Sequence, residues 1–335
     1  MDKTAVWVIT EGGLKISENL EKDMGFDLFA SRKLKNAKNA CFFSSLKESI
    51  RENFNKYNGH IFIMSTGITV RLISDLIKSK TTDPAVLVID DKGLNVISLL
   101  SGHIGGANRL CIKISEILGA NPVITTATDV NNLPAIDVIA VENDISIENP
   151  ENIKKINSLI LNGKKIRIFD PLNLVTPHLK KVNLVSDSDN PDLVVDYIEK
   201  EYSSDPLLLR PRMLSAGIGC NRGTDMDEMK GLLFQVLENN NYSVLSLKAL
   251  ATVDVKMDEI GITELAQGMN LPVKYFDKNE LNSVSNIKTP SEMAMKHIGA
   301  KSVCEAAAIL ASQGKLLIPK TKTKNVTIAI AKTSI

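Results

Sequence analysis

His103 lies in SLLSGHIGGANR, residues 98–109, between an apolar run and a segment whose apolar residues have helical spacing. Imidazole gains and loses a proton near neutral pH, which makes His103 the first candidate for proton transfer. Gly102, Gly105 and Gly106, with Ser101 beside them, bend the chain around it. A strand, a glycine loop and a helix in that order direct backbone N–H groups past the helix start, a place suited to a carboxylate or a phosphate. The loop lacks the Lys-Ser/Thr ending of a Walker turn and does not read G-x-G-x-x-G, so neither ATP nor NAD follows from it. A tight turn whose histidine only hydrogen-bonds the loop is the competing reading.

Two more strand-end turns carry polar residues. STGITVR at 65–71 contributes Thr66, Gly67 and Arg71, and TTATD at 125–129 contributes Thr125, Thr126 and Asp129. Ligands of α/β sheets bind beyond the carboxyl ends of the strands, so the three turns are expected to meet at one site. Asp129 is the group expected to orient His103 or a water, with helix capping as its alternative. A second glycine cradle, GIGCNRGT at 217–224, holds Gly217, Gly219 and Arg222, whose planar fork suits a carboxylate. Further on, Lys256 and Glu259 either line that site or begin a solvated helix. Ser302 and Glu305 have capping-box spacing, as do Thr224 and Asp227, which makes Glu305 a cap rather than an acid. If residues 320–324 are extended, Lys320, Lys322 and Lys324 share a face, as a protected edge strand or as a basic lip for an acidic substrate.

The elements that must position these groups alternate in type. Ala5–Ile9 and Ile61–Met64 read as buried strands, each followed by a turn and an amphipathic helix. Ala85–Ile89 and Leu94–Ser98 flank Asp90-Asp91-Lys92-Gly93, a hairpin signal, so the sheet is not wholly parallel. This alternation predicts an α/β, multi-domain chain: a three-layer α/β domain over 1–130, a small middle α/β domain over 131–210 and a C-terminal α/β domain over 211–335. Lys and Arg total 40 against 39 for Asp and Glu, so no global field points to nucleic acid or a membrane. Cys41, Cys111, Cys220 and Cys304 lack metal-ligand spacing and fit reduced thiols in the cytoplasm. No apolar run approaches the roughly 18 residues of a membrane span, and a soluble protein is expected.

The set FIMSTGITVRLI, TTDPAVLVIDDKG, SLLSGHIGGANRL, NPVITTATD, GIGCNRGT, DEIGITELA, SVCEAAAI and KTKTKNVTIAIA, in this order, resembles the cobalt-precorrin 5A hydrolase family, CbiG, of anaerobic cobalamin biosynthesis. The resemblance covers nearly the whole chain. It implies a hydrolase that opens the ring A δ-lactone of a cobalt tetrapyrrole and expels the former C20 bridge carbon as acetaldehyde. His103 and Asp129 are then the catalytic candidates, and the turns named above are substrate-binding. It implies no cofactor, since cobalt arrives with the substrate. A homodimer and transient contacts with the pathway's methyltransferases are the partners it leaves open, beside a non-catalytic tetrapyrrole carrier as the alternative role.

Overall fold

The computed structural model describes residues 3–79 and 82–334; Thr81, the first residue of the TTDPAVLVIDDKG motif, lies outside the described residues. The first sheet has seven strands in the order β3-β2-β1-β4-β5-β6-β7: β1 (Thr4–Val8), β2 (Asp27–Ser31), β3 (Cys41–Phe43), β4 (Gly59–Ile63), β5 (Ala85–Ile89), β6 (Asn95–Leu100) and β7 (Asn121–Val123). β1 to β5 are parallel, β6 runs antiparallel to β5, and β7 is parallel to β6. The reversal is made by the Asp90–Gly93 turn. There the Asp90 carboxylate accepts the N–H groups of Lys92, Leu94 and Asn95, and Gly93 takes a positive φ of 68°.

Helices cover both faces of this sheet, as the continuous apolar strands require. α1 (Glu11–Leu20) and α4 (Ala107–Leu118) pack Leu14, Ile16, Cys111 and Ile114 against Val6, Val8, Ile61 and Leu87. α2 (Leu46–Asn53) and α3 (Thr66–Ile73) cover Ala5, Trp7, Phe62 and Val88 on the other face. Alternate residues of one strand thus enter opposite cores, which is the period-two rule at work. His60 is part of the second core: Trp7 Nε1 donates to its Nδ1 at 3.0 Å, and its Nε2 lies 3.0 Å from the Phe54 carbonyl. Because indole can only donate, the ring is neutral with its proton on Nε2. Burial pushes its pKa down to about 4 against the pull of the Phe54 carbonyl.

Past β7 come α5 (Ala127–Val130), α6 (Ile136–Glu142) and α7 (Ile153–Leu161). The TTATD segment therefore does not end a strand. β7 stops at Val123, Thr126 stands at the N-cap of α5, and Asp129 is in the helix. A second sheet, β10-β9-β11-β12-β8, is built from β8 (Ile145–Ile147), β9 (Ile166–Phe169), β10 (Leu184–Ser186), β11 (Leu193–Val195) and β12 (Leu207–Pro211).

The third sheet, β15-β14-β13-β17-β16, contains β13 (Leu214–Cys220), β14 (Leu247–Val253), β15 (Val273–Phe276), β16 (Gly314–Lys322) and β17 (Val326–Thr333). On one face α8 (Met226–Glu238) and α9 (Ile260–Met269) pack against Leu214, Ala216, Leu250 and Ile328. α10 (Lys278–Ser283) and the alanine-rich α12 (Cys304–Ser312) cover Ala251, Val253 and Ala329 on the other, with α11 (Glu292–His297) before α12. Two caps differ from the sequence expectation. Asp225 rather than Thr224 caps α8, accepting from Asp227 N, and Val303 rather than Ser302 occupies the N-cap of α12 without a side-chain cap.

By compactness the chain forms two units: residues 1–141, 153–164 and 178–183 make the first, and 142–152, 165–177 and 184–335 make the second. Helix α7 thus belongs with the first sheet although it follows β8 in sequence. Among the described residues no helix is long and apolar enough to cross a membrane.

Candidate active site

In the first unit, β6 ends at Leu100 and the chain bends sharply. Ser101 takes a left-handed φ of 57°, and Ala107 N and Asn108 N bond back to the Ser101 and Gly102 carbonyls. Gly102 leaves room here for the Asn108 side chain: a Cβ on it would lie 2.8 Å from Asn108 Oδ1. Asn108 ties the loop to the following segment. It accepts from Ser98 Oγ at 2.7 Å and donates to Thr126 Oγ1 at 2.8 Å and Asp129 Oδ2 at 3.1 Å.

His103 is gripped at both nitrogens. Nδ1 lies 3.1 Å from Asp137 Oδ2, and Nε2 lies 3.0 Å from Asp129 Oδ2 and 3.1 Å from Thr128 Oγ1. The two carboxylates are unequal, since the Asp137 side chain is 7% exposed and that of Asp129 is 36%. Asp137 is fixed in turn by Asn157 of α7, whose Nδ2 donates to Oδ1 at 3.1 Å while its Oδ1 accepts from Ile136 N. The Asp137 hydrogen bond is the main cause that raises the His103 pKa above its ordinary value; burial opposes it, and the charges of Asp137 and Asp129 reinforce it. For Asp137, burial pulls upward, but the bonds from His103 and Asn157 and the imidazolium charge hold it below the usual carboxylate range. The raised pKa favours an imidazolium bonded to a carboxylate at each nitrogen, with the more exposed carboxylate, Asp129, on the Nε2 side.

Of the three turns, those at 101–109 and 125–129 meet, and the one at 65–71 does not join them. Because β6 and β7 are reversed, the loops after them emerge where β5 begins: Leu100 pairs with Val86, and a Cβ on Gly105 would lie 3.4 Å from the Asp83 carbonyl. Thr66 and Gly67 follow β4 and stand at the other end of the sheet, about 16 Å away for a five-residue strand. Arg71 turns its guanidinium back onto the Gly67 carbonyl at 3.0 Å. Thr126 joins the His103 group through Asn108. Thr125 makes no side-chain hydrogen bond among the described residues, and the Ser101 hydroxyl is buried without a partner among them.

The second unit separates its candidates as well. Gly219, Arg222 and Lys256 line a cleft of about 650 Å³ at the carboxyl ends of β13 and β14. Gly217 is a packing residue: a Cβ there would fall 1.8 Å from the Cys304 carbonyl, so glycine lets α12 lie on the sheet. Arg222 is engaged by Asp258, and Lys256 pairs with the buried Glu259 at 3.2 Å, leaving little net charge among the four. Glu259 also accepts Gly223 N at 3.1 Å. Glu305 is no cap. Its carboxylate accepts the N–H groups of Lys288, Thr289 and Lys320 and the Thr289 hydroxyl, stapling the 285–290 segment and β16 to α12. Among the described residues no group of three His, Cys, Asp or Glu side chains could hold a metal ion.

Sequence reasoning passed over Asp137, Asn108 and Asn157. The available signal was a lone carboxylate on an apolar helix: α6 reads IDVIAVE, with Ile136, Ile139 and Ala140 buried around Asp137.

Fold and site together define a three-sheet α/β protein with a carboxylate-flanked histidine in a glycine loop. Family models described as cobalamin synthesis G N-terminal, cobalamin biosynthesis central region and cobalamin synthesis G C-terminus match residues 48–129, 134–211 and 214–331. The chain belongs to this family, CbiG. A relative named cobalt-precorrin-5A hydrolase from Priestia megaterium is 36% identical, covering 98% of this chain and 94% of its own. Another of that name from Salmonella typhimurium is 33% identical, covering 98% and 97%. A solved cobalamin biosynthesis protein G homologue from Sulfolobus solfataricus is 26% identical over 99% of this chain and 97% of that one, with a TM-score of 0.39.

Proposed function

We propose that this chain is a cobalt-precorrin-5A hydrolase acting in the cytoplasm, with the cobalt supplied inside its tetrapyrrole substrate. The supporting observation is His103 held between Asp129 and Asp137, in a chain that matches relatives of that name along almost its whole length. The reaction consumes one water. Water adds to the lactone carbonyl and opens the ring to a carboxylate and a carbinol at the former bridge carbon. The carbinol then loses its proton as the carbon–carbon bond to the macrocycle breaks. Its electron pair passes to the macrocycle, which takes up a proton, and acetaldehyde leaves.

Both steps move protons, and the assignments follow from exposure. Asp129, the more exposed carboxylate, faces the substrate and accepts its proton. His103 behind it shares that proton and stabilises the charge, and Asp137 with Asn157 fixes the ring. The N–H groups of the 102–105 loop are the donors for the developing oxyanion. The test is anaerobic incubation of purified protein with cobalt-precorrin-5A, following acetaldehyde and corrinoid mass together. One acetaldehyde per corrinoid, with the matching mass change, is expected. Bound but unchanged corrinoid would leave the chain a carrier.

A further inference from the structure

The cleft of the second unit is built around a helix start that nothing caps. Ser302, Val303 and Cys304 line it, and α12 begins there with its first-turn N–H groups free of any side-chain cap. Ser302 has the spacing of a cap but does not act as one. It is 1% exposed, and its hydroxyl is buried with no hydrogen-bond partner among the described residues. Leaving a buried hydroxyl unpaired is costly, so its place in this wall calls for an acceptor that enters the cleft.

Charge points to the class of that acceptor. Lys320, Lys322 and Lys324 line the same cleft, and among the described residues none of them forms an ion pair with a carboxylate. The Lys320 ammonium rests on the Thr289 and Pro290 carbonyls, whereas among the described residues no side-chain bond holds Lys322 or Lys324. The acids nearby are already engaged: Glu259 with Lys256, Asp258 with Arg222, and Glu305 with its backbone donors. The wall between these positive points is apolar, with Val255 51% and Met293 65% exposed. A flat apolar body with several acidic arms matches this surface, whereas a small inorganic anion would leave the apolar wall unused.

We propose that the cleft at the start of α12 is the subsite for the acetate and propionate arms of the tetrapyrrole, Ser302 Oγ and the α12 N–H groups binding one carboxylate and Lys322 and Lys324 binding others. The identity of the ligand rests on the hydrolase reading above. The binding chemistry is tested separately from turnover, by calorimetric titration of the full chain with uroporphyrin III, an eight-carboxylate tetrapyrrole, and with its octamethyl ester. The acid is expected to bind at least 10-fold more tightly than the ester. The double variant Lys322→Glu/Lys324→Glu should weaken the acid at least 10-fold, and Ser302→Ala about 5-fold, without altering the ester. Equal affinity for acid and ester, or unchanged affinity in the lysine variant, would overturn the assignment. So would inorganic phosphate displacing the acid at equimolar concentration, since the cleft would then be a simple anion site. If the cleft binds as described while cobalt-precorrin-5A is not turned over, the hydrolase reading falls and the subsite stands.

Discussion

His103 and His60 show one side chain put to opposite uses by its neighbours. Replacing His103 by Ala is expected to lower kcat for acetaldehyde release by about 10²- to 10⁴-fold, the range for lost acid–base groups, with corrinoid binding retained. Asp137→Asn is the sharper test. Asp137 is the first cause of the raised His103 pKa, so its loss should move the limb of the pH–rate profile that reports His103 to lower pH while kcat falls. An unmoved limb would remove Asp137 from the mechanism. The pair also links folding to pH. The His103 contribution is complete below the unfolded histidine pKa, about 6.5, and is lost as pH rises through the higher folded value. His60 has the reverse sign: its folded pKa is lowered to about 4, so stability is full above about 6.5 and falls as the pH drops toward 4. A shift of that size corresponds to roughly 3 kcal/mol. Urea unfolding of wild type and His60→Phe at pH 7 and pH 4, followed by circular dichroism, should show the acid loss in the wild type only.

At the scale of elements, two glycines mark where an added Cβ would meet close neighbours, backbone at Gly217 and a side chain at Gly102. Gly217→Ala would drive a Cβ into the Cys304 carbonyl under α12, and a loss of about 3 kcal/mol in urea unfolding is expected. Gly102→Ala pushes on Asn108 instead, and its main effect should be on kcat through the Asn108–Thr126–Asp129 link. The sequence made the elements legible because burial on both faces of a strand and helical spacing are local patterns. The hairpin at Asp90–Gly93 was legible too, but not its consequence for the site. A reversed β6 places the His103 loop at the opposite end of the sheet from Thr66, and strand polarity is settled by pairing between residues far apart in the chain. The same holds for Asp137 and Asn157, whose roles come from packing across 34 and 20 residues of sequence.

For the whole molecule, the two units are not two consecutive stretches of chain. The first unit takes back residues 153–164 after the chain has left for β8, and with them Asn157. A fragment ending at residue 130 keeps His103 and Asp129 but lacks Asp137 and Asn157. Nuclear magnetic resonance titration of that fragment should therefore find the His103 pKa lowered relative to the full chain. An unchanged value would mean that Asp129 alone sets it.

Trp7 carries a last consequence. It is the chain's only tryptophan, stacked on Phe29 at 4.2 Å and bonded to His60 in the core of the first unit. Indole emission excited at the red edge therefore reports the first unit and is blind to the second. It should quench as the imidazole charges in acid, and if the units melt apart, it will register one of the two transitions that a calorimeter sees.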